Sequence, residues 1–504
     1  MTGIATGVDH PDMRVINSLV NKIADHPWRL AIGGRLVEAV SSRTYPTYDP
    51  STRSLLAHVP DGDEADVDLS VAAATEAAAL WAEVAPRERA QLLRELATLI
   101  DEHALELAVL DAVDLGSPLR SMTLDVHRAT DSLRLFAGWA LQLTGEVIPA
   151  SSDHLHYTRR EPYGVVGRIL PFNHPLMFAV GKAAAPLLAG NALIIKPAHQ
   201  TPLSALRFGE LAQEVLPPGL LNVVSGHGPE TGAALVAHPR VRRLAFIGSE
   251  RTGRIIQATA ASSAVKTVSL ELGGKNAMIV FPDADLDAAA ESAVRGMNLD
   301  ASTGQSCGST SRLLLHTSVA DKVRANVVAG FAALRVGPAL QETTEVGPLV
   351  SAQQWDRVRE LVDEALVDGA HLECGGPVEI DTGYFYPPTV LSQVSTEMRV
   401  ATEEIFGPVL SIFTFDTEEE AVELANSLDF GLTASVWTRD LNRAHRLAHR
   451  LEAGFVWING SSQHFPGVPY GGFKSSGIGR EECLDELLSF TQVKSVNVMG
   501  ALRP

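Results

Sequence analysis

The stretch 163–200, YGVVGRILPFNHPLMFAVGKAAAPLLAGNALIIKPAHQ, decides the fold. It sets two short apolar runs, Val165 to Leu170 and Ala192 to Ile195, on either side of a helix-like segment around 175–189. Apolar runs without a polar alternation are the mark of strands covered on both faces. The unit repeats downstream, with strand-like Leu220 to Val224 and Leu244 to Ile247 and helical segments around 203–215 and 230–238. Strand and helix in strict alternation imply βαβ units, a parallel sheet and an α/β fold.

Upstream, Ala-rich residues 63–84 read as a helix, and residues 87–111 as a second, with Leu92, Leu93, Leu96, Leu99 and Ile100 at helical spacing. Pro86 falls between them, where a helix breaks or restarts. Two other stretches alternate with period two: 154–159, just before the first βαβ strand, and 494–498, near the C-terminus. Both suit exposed strands, and the pattern fits pairing within the chain as well as pairing with another subunit.

A chain of 504 residues suggests two or three domains, with a cleft between them as the place to look for a site. The formal net charge of −19 argues against a nucleic-acid or anionic-membrane surface. The cysteines are Cys307, Cys374 and Cys483, which form no C-x-x-C pair and no disulfide framework; a cytoplasmic location fits best. The start, MTGIATGVDHPDMRVINSLV, lacks the basic and apolar regions of a secretion signal. The longest apolar stretch, between Lys182 and Lys196, is interrupted by Pro186 and is too short to span a bilayer.

Several segments carry chemistry. Gly226-His227-Gly228 with Gly232 resembles a dinucleotide glycine loop but has the wrong spacing, so it says little alone. Phe246-Ile247-Gly248-Ser249 ends a strand and opens a helix, where Gly248 lets a ligand approach the backbone and Ser249 caps N–H groups that face a pyrophosphate. Lys196-Pro197 closes a strand at its C-terminal end, where ligands of open α/β sheets collect. Each of these also suits an ordinary strand end or capped turn.

Gly304-Gln305-Ser306-Cys307-Gly308-Ser309 places a cysteine in a small, polar segment, whereas a structural cysteine usually sits among bulky apolar residues. Glu271-Leu272-Gly273-Gly274-Lys275 runs a carboxylate into a Gly-Gly turn that leaves it uncrowded. Asn173 lies in Pro171-Phe172-Asn173-His174-Pro175, a rigid loop that would hold an amide donor in one orientation, as an oxyanion requires.

Taken together, these segments resemble the aldehyde dehydrogenase superfamily from about residue 30 to 500. The matching pieces also include Glu161-Pro162-Tyr163-Gly164-Val165-Val166, Glu403-Glu404-Ile405-Phe406-Gly407-Pro408, and Pro469 to Lys474 with Ser476-Gly477. The resemblance implies a Rossmann-like cofactor-binding domain (residues 1–139 and 163–273) and an α/β catalytic domain (274–473). A β-strand oligomerisation arm (140–162 and 485–504) would dock on a partner in a homodimer or homotetramer. It implies an NAD(P)-dependent oxidoreductase in which Cys307 attacks the aldehyde, Asn173 holds the oxyanion and Glu271 activates water to hydrolyse the thioester. Lys182 occupies a position linked to proton relay. Lys196 and Glu404 would hold the riboses, Phe406 with Phe172 the nicotinamide side, and Gly248, Ser249 and Leu272 complete the cofactor site, with no metal.

Where many NAD-preferring members carry a ribose-binding glutamate, this chain has His199, which removes both an acceptor for NAD and a repulsion against NADP. NAD stays slightly ahead, with NADP plausible. Pro-Trp-Asn appears as Pro171-Phe172-Asn173, and Thr-Gly-Ser-Thr as Ile247-Gly248-Ser249-Glu250. Extra length falls at Leu299–Thr303, beside the expected substrate entrance.

The pocket positions are Met177, Phe178, Gly181, Ser306, Gly308, His464, Phe465 and Tyr470. Gly181 stands where a large aromatic residue is common, and should enlarge the tunnel. The stretches 174–182, 303–309 and 461–470 contain no arginine and no tryptophan, which disfavours dicarboxylic semialdehydes and quaternary ammonium aldehydes. The expected substrate is a bulky apolar or aromatic aldehyde, and His464 is placed to bind a substrate hydroxyl or simply to pack. Competing readings are an acylating enzyme that passes the acyl group to coenzyme A or phosphate, a retired enzyme kept as a binding protein, and a cofactor-free thiol hydrolase.

Overall fold

The computed structural model describes residues 12–379 and 382–500. Two large sheets organise them. The first orders its strands Arg35–Val37, Leu30–Ile32, Leu221–Val223, Ala192–Lys196, Val165–Ile169, Val241–Gly248, Thr267–Leu272 and Gly477–Ile478. The inner strands are parallel, and the added edges antiparallel. From Val165–Ile169 the chain steps outward through 192–196 to 221–223, then returns to add 241–248 on the other side. The strand order therefore reverses between Val165–Ile169 and Val241–Gly248. At such a switch point the loops beyond the strand C-termini part and leave a ligand crevice. Phe172 and Asn173 follow one of these strands, and Ser249 the other.

The second sheet runs His371–Cys374, Thr389–Ser392, Val409–Phe415, Arg312–His316, Ala277–Val280, Thr433–Trp437 and Phe455–Ile458, parallel except at its first edge. Its strands are continuous apolar runs, as in Ala277–Val280, where every residue is buried. Helices cover both faces, and the apolar clusters on the two faces are separate.

The Ala-rich segment forms the helix Glu64–Ala82, whose N-terminus is closed by a capping box between Asp63 and Asp66. The expected helix over 87–111 is two helices, Pro86–Glu102 and Ala104–Leu115, divided at His103. No Pro or Gly marks that break. Among the described residues no helix is long and apolar enough to cross a membrane.

The two alternating stretches pair with each other: Leu155–Pro162 and Thr491–Val498 form an antiparallel ribbon in register from Thr491↔Pro162 to Val498↔Leu155. The ribbon joins neither large sheet. An arm starting at residue 485 is too long, because the helix Leu484–Ser489 belongs to the body, with Leu487 and Phe490 buried in the core of the first sheet. Residues 501–504 of the arm lie outside the described residues. Gly477–Ile478, in a segment assigned to neither domain, is an edge strand of the first sheet, bonded to Leu270 and Glu271.

Candidate active site

Cys307 sits in a loop held from several sides. Asn276 donates from Nδ2 to the carbonyls of Cys307 (2.7 Å) and Ser309 (2.9 Å) and accepts from Thr433 N–H (3.0 Å). Gln305 accepts from Val350 N–H, and Ser309 Oγ donates to the Met297 carbonyl. The Cys307 backbone is thus fixed, and its Sγ lies 4.0 Å from the Tyr470 hydroxyl. Burial pushes the thiol well above its ordinary value, and the charges of Glu271 and Glu404 add to this, so the resting group is a thiol.

Glu271 comes from the strand Thr267–Leu272 and is buried, hydrogen-bonded to Cys307 and with Oε1 unpartnered. Its carboxyl is pushed up to about 8, first by burial and then by Glu481, against the lowering effects of Cys307 and Lys182. A carboxyl poised near neutrality against a thiol has the character of a general base. Asn173 is buried too, and its Oδ1 has no protein partner. A buried polar atom left unpaired costs stability.

Behind these groups runs a buried ionic network. Lys182 Nζ lies 2.8 Å from Glu481, and Arg168 lies 2.7 Å from Glu481 and 3.1 Å from Glu486. Burial disfavours charge on Lys182, but Glu481 and Glu486 more than compensate and raise its ammonium. Lys182 is therefore a fixed cation, with Glu481 between it and Arg168. Arg168, Glu481, Glu486 and Asn276 were not singled out from sequence. The acidic pair Glu481-Glu482 just beyond the Gly-Gly-Phe-Lys motif was a local signal; Arg168, inside an apolar strand, gave a weaker one.

The cofactor-type residues gather at the switch point. Lys196 ends its strand buried, its ammonium lowered to about 8 by burial against the pull of Asp61. His199 stacks edge-on against His227 at 4.9 Å; burial, then Lys196 and His227, lower it to about 4, so the imidazole is neutral at neutral pH. Ser249 caps the helix Glu250–Ser263 by accepting from Thr252 N–H. Phe172 and Phe406 meet edge to face at 5.5 Å. Phe406 keeps a left-handed backbone (φ 57), its carbonyl held by Gln354. Glu404 turns onto the Gly-Gly turn, accepting from Gly274 N–H at 3.1 Å, and occupies the space a Cβ on Gly273 would need. Burial raises its carboxyl to about 7.

Three of the expected residues also make close contacts within the chain. Gly248 is small for an internal reason, since the ring of Phe246 folds over it. The Leu272 side chain packs on Gly253 of the neighbouring helix, which leaves only its main chain for a cofactor. Gly181 lies against the helix Leu119–Gly138, where a Cβ would sit in ordinary contact, 3.4 Å from Ser132. One arginine approaches from outside the three pocket stretches. Arg128, on that same helix, pairs with Asp125 at 2.9 Å and lies in the field of Glu482.

The remaining pocket positions divide by depth. Tyr470 is buried beside the thiol, Met177 and Phe178 are half-buried on the helix Pro175–Gly181, and Ser306 accepts from Asn298 and from Gly308 N–H. His464 and Phe465 are outermost, and His464 lies 3.0 Å from Glu482 and 4.3 Å, ring to ring, from Tyr470.

A poised thiol and carboxyl beside the crevice of a parallel nucleotide-type sheet define an oxidoreductase of the α/β class. The sequence model of the Aldehyde dehydrogenase family matches residues 36–496, and the chain belongs to that family. It is 44% identical over 479 residues to the aldehyde dehydrogenase TropH of Talaromyces stipitatus, covering 92% of each chain. It is 42% identical to human retinaldehyde dehydrogenase 3, over 93% of this chain and 92% of the other. The structure of an aldehyde dehydrogenase from Bacillus cereus in complex with NAD+ superposes with a TM-score of 0.93 at 40% identity, covering 95% of this chain and 98% of that one.

Proposed function

We propose that the protein oxidises an aldehyde to the carboxylic acid with NAD(P)+, through a thioester on Cys307. The observation that carries this is the buried Glu271 carboxyl set against the Cys307 thiol with its Oε1 unpartnered. Cys307 attacks the aldehyde carbon and Glu271, the base in contact with it, takes the thiol proton. The Asn173 amide and the Cys307 backbone N–H hold the oxyanion. When bound, NAD(P)+ supplies the hydride acceptor that turns the adduct into a thioester. Glu271 then deprotonates water, which attacks the thioester and releases the acid.

Lys196 ends its strand buried at the crevice; Ser249 caps the helix that opens after the neighbouring parallel strand; Phe172 pairs with Phe406, and Glu404 bears on Cys307. These residues fit a dinucleotide, with Lys196 and Glu404 at the riboses. The NAD+ complex of the Bacillus cereus relative supports NAD; a neutral His199 neither repels nor pairs with a 2′-phosphate, so both cofactors are accepted with NAD ahead. The substrate is a bulky apolar or aromatic aldehyde, in keeping with Met177, Phe178, Phe465 and Tyr470 and with a relative named for a long apolar aldehyde.

The first sheet with its helices forms the cofactor part, and the second the catalytic part. The ribbon of Leu155–Pro162 and Thr491–Val498 is the oligomerisation arm of a soluble dimer or tetramer. A lone two-stranded ribbon is marginal in water, and this one exposes Val493 and Val498. The deciding assay follows reduced cofactor with NAD or NADP over acetaldehyde, a long aliphatic aldehyde, benzaldehyde, betaine aldehyde and succinic semialdehyde. Acceleration of acyl release by coenzyme A would favour the acylating alternative.

A further inference from the structure

The approach to Cys307 is rimmed by a closed circuit of contacts. From Sγ it passes to Tyr470 (4.0 Å), from Tyr470 to His464 (rings 4.3 Å apart), and from His464 Nδ1 to Glu482 (3.0 Å). Glu482 lies in the field of Arg128, Arg128 donates to Asp125 (2.9 Å), and Asp125 accepts from His174 Nδ1 (2.5 Å). His174 is bonded to Asn173, so the circuit leaves the sulfur and returns to the amide that serves it.

The rim is rich in acceptors. It holds two carboxylates, Asp125 and Glu482, with Arg128 paired to Asp125 and both Lys182 and Arg128 in the field of Glu482. Each imidazole gives its Nδ1 to a carboxylate. With Nδ1 donating to Asp125, the proton is assigned to Nδ1 and the lone pair of His174 to Nε2. Among the described residues Nε2 has no hydrogen-bond partner, nor is it one of the sealed, unsatisfied atoms; it faces accessible space. Phe178 holds the ring edge to face at 5.8 Å, and Asp125 is 1% exposed, so the acceptor cannot turn away. His464, 39% exposed at the outer edge, is the less fixed of the two.

We propose that His174 Nε2 accepts a hydrogen bond from a hydroxyl of the substrate, and that the preferred substrates are hydroxylated aromatic aldehydes. This rests on the aldehyde-oxidising reading above and deepens it. A purely apolar ring leaves the oriented lone pair dry, and a second carboxylate on the substrate meets Asp125 and Glu482. A ring hydroxyl satisfies the acceptor while its aromatic face packs on Phe178 and Tyr470.

The test compares kcat/KM for benzaldehyde, the hydroxybenzaldehydes and the matching methoxybenzaldehydes in the wild type and in His174→Phe. The methyl ethers reproduce the ring electronics without the donor. At least one hydroxy isomer should exceed both benzaldehyde and its ether by about tenfold or more, and His174→Phe should bring that ratio close to one. A ratio near one in the wild type overturns the proposal, as does a ratio that survives the substitution while all substrates slow alike, which would assign the His174–Asp125 pair to bracing the Asn173 loop. Oxidation of benzaldehyde without a hydroxyl preference leaves the aromatic-aldehyde reading standing; oxidation of acetaldehyde alone removes both. Should His174→Phe not fold, His174→Gln decides: an acceptor of altered reach should reduce the hydroxyl preference, and an unchanged preference overturns the proposal.

Discussion

Replacing Glu271 by glutamine removes the base and keeps the shape. The carboxyl titrates at about 8, so roughly one-tenth is ionised at pH 7 and nine-tenths at pH 9. Where hydrolysis limits turnover, the wild-type rate should therefore rise about tenfold between those pH values. Glu271→Gln should flatten that rise and slow release of the acid by about 10²–10⁴. The first turnover slows as well, because the thiol loses its acceptor, but by less, so acyl-enzyme accumulates. Rapid-quench mass spectrometry of the Cys307 peptide reads this directly. Stability moves in a defined direction. The folded-state carboxyl sits above its ordinary 4.5, so folding is favoured below that value and weakens as pH rises through about 8. Glutamine removes this slope, which thermal melts at pH 6 and pH 9 would register. Full-rate turnover by the variant, or lost turnover with no acyl group on Cys307, would refute the reasoning.

Asn276→Ala strips two carbonyls and one N–H of their partners inside the cysteine loop, at about 1–3 kcal/mol for each group left dry. Thermal denaturation should shift down clearly, and kcat/KM should fall more than cofactor affinity. In Gly273→Ala the new methyl meets the buried Glu404 carboxylate; overpacking of this kind costs about 1–3 kcal/mol, and a fluorescence titration should show weaker binding of reduced cofactor. His199→Glu places a carboxylate at the crevice and should move the NADP-to-NAD ratio of kcat/KM toward NAD by about tenfold or more, measured by initial rates at pH 7.5.

The βαβ region was legible because parallel strands buried on both faces must be apolar throughout, in alternation with helical segments. Cys307 and Glu271 stood out for the converse reason, a thiol and a carboxylate set in small, polar surroundings. Partnership was not legible. The alternation at 154–159 and 494–498 showed two exposed strands without showing that each is the other's neighbour. That the helix Leu119–Gly138 lies beside Gly181 was likewise not visible in the sequence. Arg128 and Asp125 escaped notice on an ordinary amphipathic helix, where charged residues usually face water. Only the fold brings that helix against His174 and Glu482. The break at His103 had no local signal, since the helical spacing of apolar residues continues across it.

The central claim, that aldehyde oxidation passes through the Cys307 sulfur, is tested most directly with Cys307→Ala. Reduced-cofactor formation is followed beside a cofactor-binding titration of the same preparation. Abolished reduction with cofactor affinity within about twofold of the wild type is the predicted result, since the sulfur lies on the chemical path and its loop is held by the Asn276 hydrogen bonds to its backbone. Aldehyde-dependent reduction at a rate near that of the wild type would contradict it.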